Sequence, residues 1–120
     1  MPLKVCLMGI FICLDNCAES LVVEGAENSV RNGVYRQTTN VNGKPAYFQT
    51  NGEYGLWFDG DVDDPDWNVG RILEFDEGKF SYGYIVSNDD TNCPNLSTEW
   101  QEGLVGGGWK DNPNFSIRPR

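Results

Sequence analysis

Two Asn-Gly pairs, Asn42-Gly43 and Asn51-Gly52, constrain this chain more than any other feature. They lie in the stretch NGKPAYFQTNGEYGLWF, Asn42 to Phe58, among runs rich in aromatic and β-branched residues. A two-residue type I′ turn needs positive φ at both central positions, which Asn and Gly tolerate. Asn-Gly between strand-like runs is therefore a hairpin signal. The stretch predicts three antiparallel strands at roughly 33–41, 44–50 and 53–59.

A tight turn at Asn51-Gly52 sets a register in which Tyr47 faces Leu56, Phe48 faces Gly55, Ala46 faces Trp57 and Lys44 faces Asp59. The other turn cannot follow the same rule. Lys44 and Thr50 are an even number of residues apart, so two-residue turns at both ends would make the same residues hydrogen-bond to both neighbouring strands. Pro45 also lacks an N–H. A bulge or longer turn is expected around Lys44-Pro45. Gly55, opposite Phe48, and Gly83 are expected where another chain segment approaches closely.

Further strand signals come at short intervals. DWNVGRILEF, Asp66 to Phe75, alternates with Trp67, Val69, Arg71 and Leu73 on one face. KFSYGYIV, Lys79 to Val86, alternates with Phe80, Tyr82, Tyr84 and Val86 as its larger face. NDDTNCPNL, Asn88 to Leu96, reads as a loop, and short β-like stretches follow around Trp100 and in NFSIR. No amphipathic helix of useful length is present. The 14 glycines and 6 prolines in 120 residues suit short strands and many turns. The fold class is all-β: a small antiparallel meander, barrel or sandwich.

The first 20 residues differ from the rest. Lys4 precedes an apolar run from Val5 to Leu14, and Ala18-Glu19-Ser20 follows. This is the pattern of a secretory signal peptide, with a cut after Ala18 or Ser20. Residues 21–32 read as a connector whose Leu21-Val22-Val23 forms an edge strand or a loose arm, and residues 33–120 as one β-module. Such a cut removes Cys6, Cys13 and Cys17 and leaves Cys93 as a free thiol, a buried thiol or half of an intermolecular disulfide. With an earlier cut, or none, Cys17 could reach Cys93. Sequons at Asn95-Leu96-Ser97 and Asn114-Phe115-Ser116 fit the secretory route.

The formal net charge of −9 argues against nucleic acid or anionic membranes as partners, and the apolar run is too short to span a bilayer. The chain has no histidine, so Ser-His and Cys-His nucleophile pairs and histidine-bound metals are excluded. The expectation is a non-enzyme.

Two features remain as candidate sites. Trp57 points opposite to Tyr54, Leu56 and Phe58 on its strand. Trp57, Trp67, Tyr54 and Trp109 are thus candidate binding residues, unless a two-sided sheet buries the aromatics under the segment from Trp100 to Trp109. In DGDVDDPD, residues 59–66, Asp59, Asp61, Asp63 and Asp64 are candidate Ca²⁺ ligands. Asp64 stands where an EF-hand needs Gly and Gly70 where it needs Glu, so the loop is not an EF-hand; a solvated hairpin tip is the alternative.

The assembled pattern resembles a family of small secreted or modular eukaryotic all-β repeats. It comprises Gly33 and Tyr35; Asn42, Gly43, Pro45 and Tyr47; Leu56, Trp57 and Phe58; Trp67, Val69 and Gly70; Ser87 and Pro94; and Trp100 and Trp109. Trp57 stands where the pattern has Tyr. The resemblance implies a stand-alone binding or structural module with no catalytic residues. The expected function is secreted binding of an extracellular protein or glycan through an aromatic and acidic face. An acidic matrix or mineral-associated protein is the alternative.

Overall fold

Alternating side chains and closely spaced turns give a sheet that builds itself strand by strand. The computed structural model describes residues 3–6, 13–60, 65–75 and 83–120. Strands β1 (Leu3–Cys6) and β2 (Cys13–Asn16) form a separate antiparallel pair. The main sheet comprises β3 (Ser20–Glu24), β4 (Gly33–Val41), β5 (Lys44–Gln49), β6 (Tyr54–Asp59), β7 (Asp66–Arg71), β8 (Ile85–Ser87), β9 (Gln101–Gly103), β10 (Trp109–Asp111) and β11 (Ser116–Pro119). Its order is β10-β9-β8-β7-β6-β5-β4-β3-β11, antiparallel throughout. The fold is all-β, a meander curled into a half-barrel, and only β11 departs from sequential order.

The concave face carries the core. Leu21, Tyr35, Tyr47, Leu56, Trp67, Val69 and Ile85 are fully buried there, and Trp100 packs on Phe115 with ring centroids 5.0 Å apart. Residues 112–115 join β10 to β11 and so bridge the two edges of the sheet. The Asn112 N–H donates to the Trp100 carbonyl (2.9 Å), while its Nδ2 donates to the Gly25 carbonyl (2.9 Å) beyond β3. The same Nδ2 also donates to Glu102 Oε1, which accepts the Glu27 N–H as well (2.8 Å). Arg31 lies 3.5 Å from the other Glu102 oxygen. A carboxylate 2% exposed is tolerable because these donors replace its lost water.

Several expectations hold. Tyr47 pairs with Leu56 and Phe48 with Gly55. An ideal Cβ on Gly55 would lie 3.0 Å from Trp57 and 3.1 Å from Phe48, and one on Gly83 would lie 2.3 Å from Asn68. Residues 88–96 form a loop ending in a single 3-10 turn, Pro94–Leu96.

Other expectations are corrected. Val41 pairs with Lys44 across Asn42-Gly43, whose φ values of 54° and 79° have the signs of a type I′ turn. Asn51 and Gly52 have no positive φ. There the Gln49 side chain closes the loop, accepting from the Tyr54 N–H (3.1 Å) and donating to the carbonyls of Val30 and Asn32. The irregularity expected around Lys44-Pro45 adjoins Pro45 but is carried by β4: Gln37 pairs with Tyr47 and Asn40 with Pro45, so the extra residue lies between Gln37 and Asn40. Residues 21–23 are neither an edge strand nor a loose arm, because β11 covers the outer side of β3.

Strand β7 ends at Arg71, and a 3-10 turn (Ile72–Glu74) leaves Leu73 84% exposed. The face assignment for 79–86 is reversed at its described end. Ile85 faces Val69 inside the core, and Val86 is only partly buried; residues 79–82 lie outside the described residues. Cys93 pairs within the chain, with Cys17.

Candidate functional site

The four aromatic candidates do not form one face. Trp57 lies on the convex side, 2% exposed, in a second cluster with Val41, Ala46 and Phe75; its ring is 5.1 Å from that of Phe75. Phe75, just after the 3-10 turn, covers this face, rather than the segment from Trp100 to Trp109. Trp67 is fully buried on the concave side, where its Nε1 donates to Thr91 Oγ1 (3.0 Å) and to the Thr91 carbonyl (3.2 Å). Tyr54 is partly buried and meets Tyr84 edge-on at 6.1 Å, and Arg31 lies over both rings. Only Trp109, 50% exposed on β10, is open to solvent in the way a binding aromatic needs. The binding set expected from sequence is thus divided between two buried faces, a barrel end and one surface position.

Among the acidic candidates, Asp59 pairs in register with Asp66 across the β6–β7 hairpin. Asp61, Asp63 and Asp64 lie outside the described residues. Among the described residues, no group of three or more acidic or cysteine side chains is placed to hold a metal ion. Lys44, expected opposite Asp59, reaches the loop after β8. Its Nζ donates to Asp90 and to the Thr91 carbonyl (2.7 Å), and lies 3.9 Å above the Phe58 ring.

Lys44, Trp67 and the Cys17–Cys93 disulfide therefore converge on one loop, 88–97. Thr91 fixes it further, donating to the Cys93 carbonyl (2.8 Å) and sharing a hydrogen bond with Ser97 (2.9 Å). The held loop forms one wall of a groove that sequence reading did not anticipate. Val86, Gln101 and Asp111 are cross-strand neighbours on β8, β9 and β10 and make its floor. Asn88 and Asp89, then Thr98 and Glu99, form the walls, with Trp100, Asn112 and Pro113 completing a volume of about 360 Å³.

The groove is built of hydrogen-bonding groups in fixed positions. Asp89 accepts the Thr98 N–H (3.0 Å), and Asp111 accepts from Gln101 Nε2 (2.9 Å). Among the described residues, three carboxylates line it, those of Asp89, Glu99 and Asp111, and no Lys or Arg does. Its potential is negative, and its free valences are mainly acceptors. Trp109 lies two residues from Asp111 on the same side of β10, next to a hairpin tip where Leu104 and Val105 are exposed. Three distant segments, 86–89, 98–101 and 111–113, assemble this groove. The polarity of residues 88–96 was its sole local signal.

A second hollow lies beside the β4 irregularity; among the described residues Glu19, Arg36, Gln37 and Thr38 line it, with no aromatic. Among the described residues, no helix is long and apolar enough to cross a membrane. The class these features define is a disulfide-linked antiparallel half-barrel with an acidic surface groove. Comparisons with protein-family models, curated proteins and solved structures gave no match, so the functional reading rests on the chain's own geometry.

Proposed function

We propose that the chain is a secreted, non-enzymatic binding module that holds an extracellular protein or glycan. Its site is the groove across β8, β9 and β10, together with Trp109. The observation that carries this reading is the groove's composition: carboxylates and amides at fixed positions, no basic side chain among the described residues, and a half-exposed indole two residues along β10 from Asp111. Such a surface supplies directional acceptors and one large apolar contact, the combination by which polar ligands are oriented. The intrachain disulfide supports an oxidising compartment.

The test is an NMR titration of the ¹⁵N-labelled chain with a glycan panel and with synthetic peptides. Shift changes are expected at 86–89, 98–101 and 109–113, with binding lost in Trp109→Ala and weakened in Asp111→Asn. Changes mapping elsewhere would overturn the proposal. Calcium-mineral binding that survives Trp109→Ala would instead support the matrix reading, in which overall charge does the binding.

A further inference from the structure

We infer that the groove's ligand is an extended, basic peptide segment that adds to the sheet as a strand beyond β10; the inference rests on the binding-module reading above. It starts from the free edge. Among the described residues, no strand lies beyond β10 in the sheet, and all three residues of β10 are exposed.

The hydrogen-bond phase of the β9–β10 hairpin fixes which groups that edge presents. The Leu104 N–H donates to the Gly108 carbonyl (2.9 Å), and the Asn112 N–H to the Trp100 carbonyl (2.9 Å). Antiparallel pairs alternate between bonded and non-bonded, so Lys110 and Glu102 form the bonded pair between these two. Trp109 and Asp111 therefore direct their N–H and C=O groups away from β9. Two donor–acceptor sets spaced i, i+2 are what an added antiparallel strand requires.

Side chains then define the occupant. Trp109 and Asp111 share the outer side of β10, and Asp111 belongs to the groove. A residue opposite Asp111 projects toward Asp89, Glu99 and Asp111, where a lysine or arginine is favoured. Its neighbour two positions along lies against the Trp109 indole, where an aliphatic or cationic stem packs. A second copy of the chain fits less well. Antiparallel pairing centred on Lys110 sets that lysine against its own mate and joins two chains of formal charge −9.

The test titrates the ¹⁵N-labelled chain with an acetylated, amidated heptapeptide alternating lysine and valine. One control carries glutamate for lysine, one is N-methylated at the edge-facing positions, and chitotetraose serves as the glycan probe. The parent peptide is expected to shift the Trp109 and Asp111 amides and slow their hydrogen exchange. N-methylation should weaken binding about tenfold by removing edge hydrogen bonds. Glu99→Gln with Asp111→Asn should weaken it about tenfold, and added salt should weaken it further. Both substitutions are at exposed side chains, so the fold should persist.

Equal affinity for the N-methylated or glutamate peptide would overturn the inference. So would sedimentation showing that chains pair with one another through β10. Chitotetraose binding at the groove without peptide binding would overturn the peptide but keep the binding module. If neither probe binds, both readings fall.

Discussion

Tyr47 shows how a single side chain carries both packing and pH sensitivity. It is fully buried on the concave face and donates its hydroxyl to the Ala18 carbonyl (2.6 Å). Burial pushes its phenol from 10.0 up to about 12. Burial pushes Tyr35 up as well, and its hydroxyl donates to the Arg31 carbonyl (2.6 Å). An acid whose folded value is raised contributes its full stability below the unfolded value and loses it as pH rises through the folded one. The chain should therefore hold a constant denaturant midpoint up to about pH 10 and lose stability between pH 10 and 12. In Tyr47→Phe the slope over this window should shrink, while the lost hydrogen bond costs about 1 kcal/mol at neutral pH. Tyrosinate absorbance and tryptophan fluorescence followed together check this; a slope unchanged by the substitution would refute the assignment. Glycine roles are equally local. Gly55 was legible in the sequence because the register placed a phenylalanine over it, and the structure puts both Phe48 and Trp57 against that position.

At the scale of elements, the conflict between the two Asn-Gly turns has a definite resolution. The chain keeps the positive-φ turn at Asn42-Gly43 and gives up a bonded two-residue turn at Asn51-Gly52: the Thr50 N–H donates to the Val34 carbonyl of β4 (2.9 Å), so Lys44 and Thr50 both face β4. Sequence parity showed that the two Asn-Gly turns could not both be tight bonded turns, but not which one would yield. Asn42 also donates through Nδ2 to the Phe58 carbonyl (2.8 Å), tying its turn to β6. Asn42→Ala should thus lose a hydrogen bond and force alanine into the left-handed region, a cost of about 1–3 kcal/mol. Asn51→Ala, exposed and without positive φ, should stay within about 0.5 kcal/mol of the parent. Equilibrium urea unfolding of both variants tests the assignment, and the reverse ranking would mean that the tight turn is at Asn51. The strands from β4 to β7 were legible because their partners are neighbours in sequence. The interior place of β3 was not, since its second partner, β11, pairs Ser116 with Glu24 and Ile117 with Val23. Such distant pairing leaves no local periodicity, and the groove escaped notice for the same reason.

Across the whole molecule, two devices hold the half-barrel together. One is the polar seam in which Asn112 and Glu102 join the bridging segment, the connector after β3 and β9. The other is the Cys17–Cys93 disulfide, which closes a sequence separation of 76 residues and pins the segment before β3 to the loop that walls the groove. A closed loop of that length removes chain entropy worth about 4–5 kcal/mol from the unfolded state, at the upper end of the range of about 0–5 kcal/mol found for disulfides. The leader expected from the sequence bears directly on this bond. A cut after Ala18 or Ser20 would remove Cys17 and the Ala18 carbonyl that holds Tyr47, and a cut after Ser20 would also remove the first residue of β3. Processing that preserves the described fold must therefore fall before Cys17. Three samples test this: the oxidised full chain, Cys17→Ser with Cys93→Ser, and a chain beginning at Leu21. The double serine variant should lose about 2–5 kcal/mol. The shortened chain should lose more, because the Tyr47 acceptor and the β3 end go with the disulfide. Native-state hydrogen exchange should also rise in the double variant at residues 88–97, the groove wall, ahead of β4 to β7. Equal stability of all three would show that neither the disulfide nor the 17–20 segment constrains the fold, and would restore the cut after Ser20.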